Sequence, residues 1–149
     1  MKKTLAILLV LVMFVIGVYG LIDQMSPKPP LPSVTVEGEK VTTVQGSYCW
    51  SGYFNSQCVD MISPPELIKE KGIKSVSVPP QSRLKIEFKN APIRNTLGVN
   101  KWEKNGKVKN IYIKNNILTA PKEKGVYLYD IFARWEKGSS SYVFVIEVK

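Results

Sequence analysis

Residues 4–22, TLAILLVLVMFVIGVYGLI, carry no charge, and from residue 33 onward the hydrophobic positions recur every second residue instead. The first pattern predicts a helix that is apolar on every side. At about 1.5 Å per residue it would cover roughly 30 Å, the hydrocarbon thickness of a bilayer. Lys2 and Lys3 precede it and should stay on the cytoplasmic side, which puts everything after Ile22 outside. Two readings stay open for residues 1–22. One is an uncleaved anchor; the other is a signal peptide removed after Gly20, with Val18 and Gly20 in the small-residue positions. Both make the remainder extracytoplasmic.

The second pattern predicts strands. Val34 and Val36 share one face of a hairpin that turns across residues 37–40. Val76 and Val78, then Leu84, Ile86 and Phe88, alternate with polar residues, and Lys85 and Glu87 face away. Asn105-Gly106 predicts a two-residue hairpin turn because both residues tolerate positive φ, and Asn115-Asn116 predicts a second. Tyr127, Tyr129, Ile131, Ala133 and Trp135 form one face, as do Tyr142, Phe144, Ile146 and Val148. The polar EKGSSS between them makes a final hairpin. SPPELIKEKG, residues 63–72, is the one helical signal here: Ser63 as cap, Pro64 first, Glu66 completing a capping box, Leu67 and Ile68 packing, Gly72 ending it.

Between anchor and strands lies DQMSPKPPLPS, residues 23–33, whose prolines favour an extended polyproline II stalk. The organisation expected is an anchor or signal peptide (1–22), a linker (23–33) and an all-β extracytoplasmic domain (34–149). Within that domain a cysteine-loop region with a short connector helix (34–73) precedes a core (74–149).

Phe88 ends one strand, Trp102 follows on the next, and EKGVYLY occupies residues 123–129. This order resembles the immunoglobulin superfamily, in which a cysteine, a tryptophan and a D-x-G-x-Y-x-C run mark the core. Glu123 stands at the acidic position, Gly125 at the glycine and Tyr127 at the corner tyrosine, while Phe88 and Tyr129 replace both cysteines. The GxYxY strand followed by W-x-x-G, with Trp135 as its tryptophan, also resembles uncharacterised extracytoplasmic proteins of Gram-positive bacteria. The resemblance implies an Ig-like antiparallel β-sandwich over residues 74–149 and no particular activity.

Composition narrows the chemistry. The chain has no histidine, which removes Ser-His-Asp and Cys-His arrangements and histidine metal sites. Two cysteines do not close a zinc site, and eight residues between them is not a redox C-x-x-C. The aspartates beyond the anchor are Asp23, Asp60 and Asp130; the glutamates mostly sit beside lysines on solvent faces. No enzyme activity, metal or cofactor is expected. Outside the membrane, Cys49 and Cys58 should be oxidised to each other.

The segment they bound, CWSGYFNSQC, holds Trp50, Tyr53 and Phe54 among small polar residues. These rings either fold back on the core or project as aromatic anchors, which makes them the candidate binding residues. The net charge of +9 leaves about +7 beyond Ile22, spread without a block. It points to an anionic envelope polymer or a protein as partner, with the membrane engaged by the N-terminal segment and nucleic acid not expected. The functional expectation is a non-enzymatic interaction module of the cell envelope. Its alternatives are an accessory subunit of a membrane complex acting through the anchor helix, and an inhibitor or immunity-type protein that presents the disulfide loop.

Overall fold

The computed structural model describes residues 2–25, 28–52 and 55–149, with the side chains of the first helix described for residues 7–18. That helix, α1, runs Lys2–Met25. Its described side chains are exposed on all faces, from Ile7 at 61% to Val18 at 37%. Among the described residues no helix is long and apolar enough to cross a membrane. The stretch from residue 7 to 18 rises only about 18 Å.

The rest is β with one short helix. Among the described residues eleven strands follow: β1 (Pro32–Val36), β2 (Glu39–Val41), β3 (Val44–Ser51), β4 (Ser56–Val59), β5 (Val76–Val78), β6 (Arg83–Phe88), β7 (Gly98–Trp102), β8 (Val108–Ile111), β9 (Ile117–Thr119), β10 (Gly125–Trp135) and β11 (Gly138–Val148). They form a smaller sheet in the order β2-β1-β6-β9 and a larger one in the order β4-β3-β11-β10-β7-β8. β5 adds to β11 in parallel, and every other pair is antiparallel.

The two sheets share one core. The smaller contributes Val34, Val36, Leu84, Ile86 and Leu118; the larger contributes Val99, Tyr129, Ile131, Ala133, Trp135, Tyr142, Phe144, Ile146 and Val148. Apart from Val99 and Leu118, these are the alternate positions read from the sequence. Each is buried because period-two alternation turns one whole face of a strand toward the facing sheet. Tyr129 stacks on Phe144 at 5.3 Å across the β10–β11 pair.

Four local features differ from the sequence expectation. First, the proline segment is not a free stalk. Pro29 is buried, Pro32 begins β1, and the Tyr142 hydroxyl donates to the Pro30 carbonyl, so the domain starts earlier than residue 34. Pro27 lies outside the described residues.

Second, the serines of EKGSSS belong to β11, leaving Glu136 and Lys137 as the whole turn. Third, the hairpin at Asn105-Gly106 is not a two-residue turn. Only Gly106 has positive φ (79°), and the Glu103 and Lys107 backbones bond across it, which is the three-residue solution. The turn at Asn115 (52°) and Asn116 (60°) is of the two-residue kind.

Fourth, Val143 and Val145 are buried although they face away from the core. The short helix α2 (Pro64–Glu70) lies over that side of β11 and sets Leu67, 1% exposed, against the sheet. Its cap differs in detail: the Ser63 hydroxyl donates to the Glu66 carboxylate at 2.7 Å and accepts no backbone N–H. Gly72, at φ 61°, ends the helix as read.

Candidate functional site

β3 and β4 form a ribbon at one margin of the larger sheet, with Cys49 directly opposite Cys58 and the two joined by a disulfide, Cα to Cα 4.0 Å. Both cysteines are exposed. Closing so short a loop disfavours the unfolded chain by about 2–3 kcal/mol on the chain-entropy model.

Because β3 continues through Cys49, the next residue points to the opposite face. Trp50 is 8% exposed and belongs to the core, edge-on to Trp135 with ring centroids 5.6 Å apart. Trp50 is therefore a core residue and not a projecting anchor. Tyr53 and Phe54 lie outside the described residues. Of the sequence markers, Tyr129 and Trp135 are in the core, while Phe88 and Tyr127 are half-buried against it. Gly125 begins β10 at φ 153°. Trp102 is not in the core: it pairs with Leu128, on the face that Val126, Asp130 and Phe132 share.

On that face the row Asp130–Asn100–Asn110 runs across three strands, and the Asn110 amide donates to Asn100 Oδ1 at 3.3 Å. Asp130 Oδ1 and Trp102 Nε1 are buried without a hydrogen-bond partner among the described residues. Burial pushes the Asp130 carboxyl up to about 6, against an opposing hydrogen bond from Asn100. The folded state thus holds this proton more tightly than the unfolded chain. Its contribution to stability is full below about pH 4 and is lost as pH rises through about 6.

Asp130→Asn should flatten that decline. It should also raise stability at neutral pH by on the order of 1–2 kcal/mol, after discounting for solvent screening. Urea midpoints at several pH values between about 4 and 8 test this. A variant as pH-dependent as the parent over that window would refute it.

The opposite margin holds the strongest charge feature. β8 is the last strand of the larger sheet, β9 the last of the smaller, and residues 112–116 cross between them. Residues 101–114 carry five lysines against one glutamate. Lys101 bonds that glutamate, Glu103, at 3.7 Å and lies 5.9 Å over the Tyr127 ring. Lys104, Lys107, Lys109 and Lys114 are exposed, and with Arg83 they have no ion-pair partner among the described residues. Lysines on an edge strand also keep it from pairing with another chain.

Where the margins meet is a groove of about 420 Å³ lined by Arg83, Tyr112, Lys114, Asn115, Ile117 and Thr119. Its frame is rigid. Arg83 pairs with Thr119 across β6 and β9. Lys114 and Ile117 exchange backbone bonds at 3.3 and 3.0 Å around the asparagine turn, and the Ile86 N–H donates to Asn116 O at 2.8 Å. Tyr112 stands beside it, 83% exposed.

A second groove, about 350 Å³, crosses the outer face of the larger sheet. It is lined by Ser47, Phe132, Arg134, Ser139 and Ser141 among others. Phe132 lies flat over Gly98, where an added Cβ would fall 2.2 Å from the ring.

Sequence reading did not single out Arg83, Tyr112 or Lys114. The lysine excess in residues 101–114 was the available signal, but only the fold brings Arg83 and Thr119 beside it. Comparison with protein-family models, curated proteins and solved structures finds no match.

Proposed function

We propose that this chain is a non-catalytic, extracytoplasmic interaction module of the cell envelope that binds an anionic polymer along the β8–β9 margin. The observation that carries it is the set of five exposed cations, Arg83, Lys104, Lys107, Lys109 and Lys114, that have no acid partner among the described residues, two of which, Arg83 and Lys114, line a groove with the exposed Tyr112. The Cys49–Cys58 disulfide supports an oxidising compartment. The ground for a membrane tether is in the sequence, where residues 4–22 carry no charge.

The two sheets read best as an Ig-like sandwich. β1-β6-β9 follows the A-B-E order, β8-β7-β10-β11 the C′-C-F-G order, and β2 with the β3–β4 ribbon are additions. The Tyr127 hydroxyl donates to Glu123 O at 2.9 Å, as a corner tyrosine does. Trp102, facing outward, departs from that pattern.

Full-length protein in a neutral detergent should bind an immobilised polyanion. Its affinity should fall roughly ten- to a hundredfold from about 50 to about 200 mM NaCl, as charge neutralisation releases counterions. Absence of polyanion binding would sink the proposal. Salt-insensitive capture of a membrane protein would shift it to the accessory-subunit reading.

A further inference from the structure

We infer that the groove beside Tyr112 is a phosphate subsite and that the polymer it takes is a phosphodiester chain of short polyol units. The inference rests on the polyanion reading and names its ligand. The polar residues lining the groove are Arg83, Tyr112, Lys114, Asn115 and Thr119, and no acidic residue is among them. Such a set offers donors and calls for an anion rich in acceptors.

The donors come from three places: β6, β9 and the asparagine turn. A carboxylate is planar, and the Arg83 fork alone would satisfy its two oxygens. A phosphodiester is tetrahedral and presents oxygens in several directions, which suits donors that converge from separate elements.

The Tyr112 ring and the half-buried Ile117 supply apolar contact for the carbons between one phosphate and the next. Proteins that hold single-stranded nucleic acid stack successive bases on several rings. Here one ring lines the groove, which favours a chain without bases. The exposed Lys104, Lys107 and Lys109 on the adjoining β7–β8 hairpin would meet further phosphates of the same chain.

The test uses the full-length protein in neutral detergent with three probes: poly(glycerol phosphate), polyglutamate of matched charge and an oligothymidylate. The variants are Arg83→Gln with Lys114→Gln, Tyr112→Ala, and Lys104→Gln with Lys107→Gln as the control. All the altered residues but Lys114 and Arg83 lie outside the frame's backbone bonds, and all five side chains are exposed.

Wild type should prefer poly(glycerol phosphate) to polyglutamate by about tenfold. The groove double variant should lose about tenfold on that probe, more than the hairpin control. Tyr112→Ala should weaken poly(glycerol phosphate) severalfold and leave polyglutamate unchanged.

Equal binding of the two polymers, with the groove variant no worse than the control, would overturn the subsite and leave the polyanion margin standing. Failure to bind any probe would overturn both. Tighter binding to the oligonucleotide than to poly(glycerol phosphate) would overturn the polyol-phosphate assignment.

Discussion

Trp50→Ala should destabilise the protein by about 3–5 kcal/mol, the usual loss when a large buried aromatic ring is deleted and the surroundings relax only in part. Trp50 is the first of four rings in series: Trp50 on Trp135 at 5.6 Å, Trp135 on Phe88 at 5.1 Å, and Phe88 on Tyr142 at 5.8 Å. Trp135 is further fixed by its indole N–H, which donates to Asn90 O at 2.9 Å and leaves its ring little freedom to fill the gap. The disulfide keeps the ribbon closed in the variant, so the loss should appear in the unfolding midpoint of the whole domain. Trp50→Phe should recover part of it. If instead Trp50→Ala stayed within about 0.5 kcal/mol of wild type, the core assignment would fail and the residue would return as a contact candidate.

Gly138→Ala should cost a comparable amount, about 3–5 kcal/mol, from two sources that add at one position. Gly138 has φ 150°, and an added Cβ would sit 2.0 Å from the Cys49 carbonyl oxygen and 3.0 Å from Trp50 Cα. Those atoms are backbone, so no side chain can swing away, and β3 must part from β11 where Gly138 faces Trp50. Gly38→Ala is the matched control. It has positive φ (86°) with nothing near the missing Cβ, so only the conformational cost of about 1 kcal/mol is due. Equal losses for the two alanines in denaturant titration would show that the contact at Gly138 relaxes freely.

Much of this fold was legible because period-two alternation is a local property. Leu84 and Ile86, or Tyr142, Phe144 and Ile146, announce their faces without reference to any other strand. What escaped depended on knowing what lies across a gap. Trp50 read as a loop residue because its segment holds glycine and serines, yet β3 runs straight through Cys49 to Ser51 and parity then decides its face.

Val143 and Val145 read as outward positions, and only α2 docking on that side buries them. Trp102 was placed by its order along the chain, whereas its side of β7 is set by the register Trp102↔Leu128. The groove at Tyr112 was least legible of all. Arg83 and Lys114 are far apart in sequence, and they become neighbours because two sheet margins end at the same side of the domain.

The place of β11 in the larger sheet has a consequence for the order in which the molecule can assemble. β11 follows every strand it joins, and among the described residues it is the only link between β3 and β10 and the only partner of β5. Until it emerges, the cysteine ribbon, β5 and the β10–β7–β8 group are separate pieces with open edges, and none buries a full core face. Cooperative closure must therefore wait for the last strand, the regime of distant pairings in which folding is slow. Late closure also leaves the β3 and β10 edges, which β11 later fills, open for longest during assembly.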